Sequence, residues 1–281
     1  MSTFQAIVYG IVQGFSEFLP LSGNAHRILA PYLLNWPAPT GALLGALSLG
    51  SLIALMLYFF HDWASIISSF LQVVIYRKKP MTLDERMPFF IAISAAPMVL
   101  TGFYLIPRVQ EFVSANPGRV PMWLAGSLAL FVLPLWVGDY WSRKNKEIFA
   151  WNWLDALWVG IFQAFSWIPG LDRSTAGLAG AMFRNYSRDA GAKFVFFAAA
   201  PFLVWSSISG LRGLSFSAPS AMEGVSWFTW VVALIVSVLA SLLAIGGLRR
   251  YLQINGFRQY LLYRLILAVA VASVFFIRSR S

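Results

Sequence analysis

The sequence contains no cysteine and has few charged residues. The lack of cysteine excludes disulfide bonds and thiolate metal ligands. Lysine, arginine, aspartate and glutamate together make up 11% of the 281 residues, whereas soluble domains carry about 25%. Because so few charges cannot cover a water-facing surface, the composition excludes a soluble globular protein and predicts an integral membrane protein.

The apolar residues, which make up 59% of the chain, occur in long blocks. A helix needs about 20 apolar residues to cross a bilayer, and several blocks approach this length. We predict six transmembrane helices, at about residues 41–60, 87–106, 121–141, 190–210, 226–247 and 258–277. The predicted fold class is an all-α polytopic membrane protein that forms a single membrane domain over residues 1–281.

The net charge of +10 would also suit a nucleic-acid-binding protein. Here the cations gather in alternate loops between the apolar blocks, at 61–86, 142–150, 184–189 and 248–257. Basic loops stay in the cytoplasm, so this distribution predicts that the other loops and both chain ends face outward. It also removes the reason to expect a nucleic-acid partner.

Two more apolar segments, 4–34 and 151–183, are interrupted by the sequences EFLPLSGNAHR and PGLDRSTAG. If either segment crossed the membrane completely, the basic loops would no longer alternate. We therefore predict two re-entrant helical hairpins. Irregular backbone at membrane depth occurs only where it is buried in protein or lines a water-filled cavity, so both interruptions are candidate sites.

The two hairpins resemble each other. The segment AIVYGIVQGFS of the first aligns with ALWVGIFQAFS of the second at an offset of 150 residues, which pairs Gly10 with Gly160. Three predicted spans follow each hairpin, so the two units would have opposite orientations. We predict an inverted-topology repeat, with repeat 1 at about 1–141 and repeat 2 at about 151–281, and a site where the broken helices meet.

The polar residues of the two hairpins form the candidate site, because ionisable side chains at membrane depth are costly and are functional by default. The hairpins contribute Gln13, Glu17, Ser22, Asn24, His26 and Arg27, and Gln163, Ser166, Asp172, Arg173, Ser174 and Thr175. We assign catalytic roles to Glu17, His26 and Arg173. Substrate-binding roles are assigned to Gln13, Ser22, Asn24, Gln163, Asp172, Ser174 and Thr175. The candidate metal ligands are Glu17 and Asp172.

These residue types suit phosphoryl transfer. Arg173 and the free N–H groups of a helix that starts near Asp172 would hold phosphate oxygens. Glu17 could orient His26, act as a base or bind a cation, and His26 could be a nucleophile or a general acid. Each residue taken alone also has a structural interpretation, and for Asp172 that interpretation is the N-cap of the second helix.

Two sequence motifs resemble those of the undecaprenyl-diphosphatase (bacitracin-resistance) family. QGFSEFLPLSGNAH resembles its first signature, roughly [E/Q]-G-x-[S/T]-E-F-L-P-x-S-S-x-G-H. FQAFSWIPGLDRSTAG resembles the second, F-Q-x-x-x-x-x-P-G-x-S-R-S-x-x-T. LLYRLILA, with Tyr263 and Arg264, is similar to the family's C-terminal segment. The similarity keeps the order and spacing of the family along the whole chain.

The resemblance implies an enzyme that hydrolyses undecaprenyl or another polyprenyl diphosphate to the monophosphate and phosphate. This reaction recycles the lipid carrier for peptidoglycan and other cell-wall polymers and gives bacitracin resistance. It also implies a bacterial cytoplasmic membrane location, an outward-facing site, membrane lipids as neighbours, and a divalent cation (Mg²⁺ or Ca²⁺) without an organic cofactor. The oligomeric state stays open, a homodimer included. The matched family site residues are Gln13, Glu17, Ser22, His26, Arg173 and Ser174.

The chain departs from the family pattern at four positions. Gly23 replaces the second serine of the first motif, a proposed nucleophile of the family, and Asp172 replaces a serine. Gly177 stands where the second motif ends in threonine, and Lys193 where we expect an acidic residue. Three alternatives remain open. His26 is the nucleophile or activates water; Asp172 binds a cation or supplies the nucleophile; or the chain has lost hydrolysis and binds, senses or transports a polyprenyl phosphate.

Overall fold

A computed structural model describes residues 1–34, 36–212 and 226–280, except for the side chains of residues 24, 279 and 280. These residues form twelve α-helices and no β-strand. The helices are α1 (Thr3–Phe18), α2 (Gly23–Leu34), α3 (Gly41–Tyr58), α4 (Phe60–Ile75), α5 (Leu83–Ala115), α6 (Val120–Leu130), α7 (Val132–Trp141), α8 (Trp153–Ala164), α9 (Arg173–Phe183), α10 (Arg188–Leu211), α11 (Trp227–Leu252) and α12 (Arg258–Arg280).

The described residues contain six helical segments that are long and apolar enough to cross a membrane. They are α3, α5, α6 with α7, α10, α11 and α12. The prediction of six transmembrane helices is therefore confirmed. α5 is longer than predicted, because its 33 residues span about 50 Å at 1.5 Å per residue.

α4 was not predicted, because residues 61–86 were interpreted as a loop. Its 16 residues are too few to cross a bilayer. Apolar side chains such as Ile67, Leu71 and Val74 are more than half exposed or close to it, while Asp62 and Ser65 bind to neighbouring helices. Apolar and polar residues are mixed in this short helix, so it lacks the long apolar block from which the other helices were predicted.

The two predicted hairpins are helix–loop–helix units. Residues 19–22 separate α1 from α2, and residues 165–172 separate α8 from α9. α8 has 12 residues and α9 has 11, so each is about 16–18 Å long, well short of a bilayer core of about 30 Å. Helices of this length, joined by a buried loop, are consistent with hairpins that enter the membrane without crossing it.

Glycines let each hairpin pack closely on a transmembrane helix. At Gly10 of α1, an added Cβ would lie 2.9 Å from the carbonyl oxygen of Ala233 in α11. At Gly160 of α8, an added Cβ would collide with the backbone of Ser94 in α5. The two glycines that the sequence alignment pairs therefore make the same kind of contact. The division of the chain into two repeats stays a prediction, and this packing agrees with it.

We expect Gly160→Ala to destabilise the protein by about 1–3 kcal/mol, the usual cost of overpacking, because the new methyl group meets backbone that cannot move aside. Gly126→Ala is the matched control, since Gly126 is an exposed residue of α6 with open space around its Cα. Thermal unfolding of both variants in detergent would measure the difference. Equal melting temperatures would contradict this account of the α8–α5 contact.

Candidate active site at the junction of the two hairpins

An ion pair joins the two hairpins. Gln13 and Glu17 are four residues apart on one face of α1, and the Gln13 side-chain amide donates to Oε2 of Glu17 at 3.0 Å. The other oxygen of Glu17, Oε1, accepts a hydrogen bond from Arg173 at the start of α9. Glu17 and Arg173 are both buried, so each is the counter-ion that offsets the cost of burying the other.

The guanidinium of Arg173 is held on a second side by an aromatic ring. Its Cζ lies 4.3 Å from the centroid of Phe202 in α10. The single hydroxyl proton of the neighbouring Ser174 is shared between Asp172 and the backbone carbonyl of Leu19, which lies 3.0 Å from Oγ. This contact ties the start of α9 to the first loop. The carboxylate, the ring and this serine together fix Arg173 between the two interruptions.

Asp172 is the N-cap of α9, as the structural interpretation of the sequence proposed. Its Oδ1 accepts from the Thr175 backbone N–H at 2.5 Å and from the Ser174 hydroxyl at 2.6 Å. Its Oδ2 accepts from the Thr175 hydroxyl at 2.9 Å and from Arg264 at 3.3 Å. Four donors therefore surround this carboxylate, and one of them carries the opposite charge.

Arg264 of α12 is a site residue to which the sequence analysis gave no role. It is 0% exposed and donates to the Thr175 hydroxyl at 2.8 Å and to the Gly170 carbonyl at 2.6 Å. Gly170 has φ +99°, a backbone conformation that favours glycine. An arginine in the middle of an apolar span is costly, and this pattern could have identified Arg264 from the sequence.

His26 lies in the first turn of α2 and binds the loop before it. Ser22 has φ 70°, a strained conformation for a residue other than glycine. Its carbonyl accepts from the His26 backbone N–H at 3.2 Å and from Nδ1 at 2.8 Å. Because a carbonyl can only accept, Nδ1 carries a proton. In the neutral ring Nε2 then accepts from the Tyr263 hydroxyl at 2.5 Å.

A small polar cavity and a larger apolar cavity meet at the junction. The polar cavity, of about 60 Å³, is lined by Ser16, Glu17, Gly23, Arg27, Met98, Ser166, Trp167, Asp172, Arg173 and Phe202. The apolar cavity, of about 330 Å³, lies mainly between α5 and α10. Met98, Trp167 and Phe202 line both cavities. A molecule with a polar head and an apolar tail could therefore occupy both at once.

The structure brings most of the predicted site residues together. Five of them line the polar cavity: Glu17, Arg27, Ser166, Asp172 and Arg173. Gln13 donates a hydrogen bond to Glu17, and Ser174 and Thr175 donate to Asp172. Gln163 lines the apolar cavity instead. Ser22 and His26 lie beside the polar cavity but do not line it, and the side chain of Asn24 lies outside the described part of the structure. The catalytic and binding roles of all these residues stay predictions.

The structure explains three of the departures from the family pattern. An added Cβ at Gly23 would lie 2.8 Å from Oγ of Ser16, and one at Gly177 would lie 2.9 Å from Val195. Lys193 donates to Asp62 of α4 at 2.6 Å. Neither glycine has free space beside it, and the lysine has an acidic partner in another helix.

The two predicted cation ligands do not form a good site for a divalent cation in this arrangement. Glu17 accepts from Arg173 and Gln13, and Asp172 accepts from its own helix and from Arg264. A cation bound to either carboxylate would displace a guanidinium or lie against it. No group of three or more histidine, aspartate or glutamate side chains suited to a metal occurs among the described residues. The cation requirement stays a prediction.

Comparisons with known proteins point to one family. The family model described as bacitracin resistance protein BacA matches residues 6–270. Three similar proteins are named undecaprenyl-diphosphatase. The Moorella thermoacetica protein is 30% identical over 99% of this chain and 100% of its own length. The Nocardioides protein is 31% identical over 95% of this chain and 94% of its own. The Myxococcus xanthus protein is 30% identical over 96% and 88%. The similarity covers both hairpins.

We expect Asp172→Asn to destabilise the protein by about 3–5 kcal/mol, because it leaves the buried Arg264 without its counter-ion. Asparagine remains a good N-cap, but its NH2 group cannot accept from Arg264, so the change removes the charge and one acceptor together. The double variant Asp172→Asn/Arg264→Met should recover part of the loss. A double-mutant cycle of unfolding free energies measures the coupling, and additive effects would contradict the ion pair.

Proposed function

Since the chain belongs to the bacitracin resistance protein BacA family, we propose that it is an undecaprenyl-diphosphatase. It hydrolyses undecaprenyl diphosphate to the monophosphate and phosphate. The observation that carries this function is the junction of the two cavities. A buried guanidinium, Arg173, faces the polar cavity, and the adjoining cavity is lined mainly by apolar side chains. Together they match a lipid with a diphosphate head.

The apolar cavity is the proposed binding site for the start of the isoprenoid chain. At about 330 Å³ it is far too small for eleven isoprene units, so most of the tail must lie in the bilayer. Its rim residues Val99, Phe103 and Trp205 are each more than half exposed, on the surface that faces the lipid. The substrate can therefore enter sideways from the membrane, between α5 and α10.

Arg173 is proposed to stabilise the charge that develops on the phosphate during reaction. In the hydrolysis, water adds to the terminal phosphorus and the bond from phosphorus to the bridging oxygen breaks, so that undecaprenyl monophosphate leaves. Fixed guanidinium donors in a cavity with little water are effective for this task. Glu17 holds Arg173 in place. Protonation of Glu17 would leave this buried guanidinium without its counter-ion, so we do not assign Glu17 the role of the base.

Proton transfer is assigned to His26. Both carboxylates of the site accept hydrogen bonds from cationic or amide donors, whereas Nε2 of His26 accepts from a neutral hydroxyl, that of Tyr263. Exchange of that hydroxyl for a reacting group leaves no buried charge unpaired. His26 is therefore the basic group of the site that can change partners at the lowest cost.

We place the site toward the outer face of the bacterial cytoplasmic membrane. The apolar cavity is formed by residues 95–107 of α5 and 198–205 of α10. These segments lie beyond the N-terminal third of each helix, and basic residues precede both helices: Arg77, Lys78 and Lys79 before α5, and Arg184 before α10. Because basic loops face the cytoplasm, the cavity lies on the opposite side. Cell-wall assembly leaves the lipid diphosphate there, which accounts for a role in carrier recycling and bacitracin resistance.

We expect Arg173→Ala and His26→Ala each to lower phosphate release by at least about 100-fold, the usual loss for such groups. The assay uses purified protein in detergent with C55 and C15 prenyl diphosphates. His61→Ala, which changes the other histidine, is the matched control and should keep full activity. Near wild-type turnover in either site variant would reject its assignment. Lipid movement across vesicle membranes without phosphate release would instead indicate a transporter.

The lipid cavity is tested by filling it. We expect Val99→Trp to raise the KM for the C55 substrate by about tenfold, because the loss of one binding contact of about 1.4 kcal/mol has that effect. Leu100→Trp is the control, since Leu100 is exposed on the same helix but does not line the cavity. Equal KM values for the two variants would show that the tail binds elsewhere.

A further inference from the structure

Arg27, in the second turn of α2, has no role in the function described so far. Its side chain lines the polar cavity together with Arg173. The Nη2 atom lies 3.9 Å from Oε2 of Glu17, which is the outer limit of an ion pair. The Nε atom is buried and has no hydrogen-bond partner among the described residues. A buried donor without a partner is costly, so this guanidinium is only partly satisfied in the protein alone.

The charges around the cavity do not balance. The site contains three guanidiniums, those of Arg27, Arg173 and Arg264, and two carboxylates. Asp172 is paired with Arg264. Glu17 must then balance both Arg27 and Arg173, which leaves an excess of one positive charge at the cavity wall. The ligand that completes this site is therefore an anion that can accept hydrogen bonds from two guanidiniums.

The position of Arg27 is also related to that of Gly23. The two residues are four apart in α2, so they lie on the same face of the helix, and both line the polar cavity. Glycine adds no side chain to this face. On this face of α2, the guanidinium of Arg27 is therefore the group that can contact a ligand in the cavity. In the family pattern, position 23 would present a serine hydroxyl instead.

We propose that Arg27 is a second phosphate-binding residue, which holds the diphosphate jointly with Arg173. This inference rests on the proposed function. The Arg27 guanidinium would neutralise charge on the diphosphate, which is the task expected of a divalent cation. Guanidiniums bind phosphate oxygens with charge-assisted, often bidentate hydrogen bonds. Arg27 and Arg173 come from different hairpins, and both lie next to Glu17. They can therefore bind the diphosphate from two sides. The enzyme then needs no cation at Glu17 or Asp172.

The experiment compares Arg27→Met, Arg27→Lys and a control, Arg143→Met, which removes an exposed cation from the loop after α7. For each purified protein we would measure KM and kcat with C15 diphosphate in EDTA and with added Mg²⁺ or Ca²⁺. Binding of inorganic pyrophosphate is measured separately, because it does not depend on turnover. Thermal unfolding identifies any variant that is misfolded.

We expect the wild-type protein to retain turnover in EDTA. Arg27→Met should raise KM by about tenfold or more and weaken pyrophosphate binding by a similar factor, since one charge-assisted contact is lost. Arg27→Lys, which keeps the charge and serves as the test if Arg27→Met does not fold, should show a smaller loss. Arg143→Met should match the wild type.

Unchanged KM and pyrophosphate binding in a folded Arg27 variant would overturn the proposal. Complete loss of wild-type turnover in EDTA would overturn the part that dispenses with the cation. If the wild type releases no phosphate under any condition, the proposed function fails. Pyrophosphate binding that depends on Arg27 would still support the anion site in that case, so the two failures are distinguishable.

Discussion

The ion pair between Glu17 and Arg173 is the interaction on which the arrangement of the two hairpins depends. A single charge at membrane depth is costly, and these two residues lie 156 positions apart in the sequence. The direct counter-ion of Glu17 comes from the other hairpin, because Arg27 of its own hairpin lies only at the outer limit of an ion pair. The close contacts at Gly10 and Gly160 position the helices that precede each loop, and the ion pair then joins the loops. The site is therefore a product of the packing of the two halves, because neither half contains both charges.

The polar residues at the junction divide into two groups with different consequences. In the first group, Asp172 and Arg264 neutralise each other and every oxygen of the carboxylate accepts a hydrogen bond. This pair is neutral as a whole, and it fixes the start of α9. In the second group, Glu17 is shared by Arg173 and Arg27, so positive charge is left over. Binding of an anion lowers the free energy of the second group only. The start of α9 is thus fixed in place, while the cavity can still bind an anion.

The sequence predicted those features that the bilayer imposes on any chain. The six spans follow from length and hydropathy, and the loops follow from proline, glycine and polar residues within apolar segments. The N-cap role of Asp172 was foreseen, because capping is local. The pairings Glu17–Arg173, Asp172–Arg264 and Lys193–Asp62 could not be predicted, since each joins residues more than 90 positions apart. α4 was missed because this short helix of 16 residues lacks an apolar block long enough to cross a bilayer.

Gly23, which departs from the family pattern, and Arg27 line the same polar cavity. A hydroxyl at position 23 would come from a Cβ only 2.8 Å from Ser16, so the short distance between α1 and α2 favours glycine. The next residue on the same face of α2 is Arg27, and its side chain also lines the polar cavity. A hydroxyl can attack phosphorus, whereas a guanidinium can only bind and neutralise it. Glycine at position 23 therefore removes a candidate nucleophile. In the proposed mechanism, water is the nucleophile, His26 transfers the proton and Arg27 adds electrostatic stabilisation.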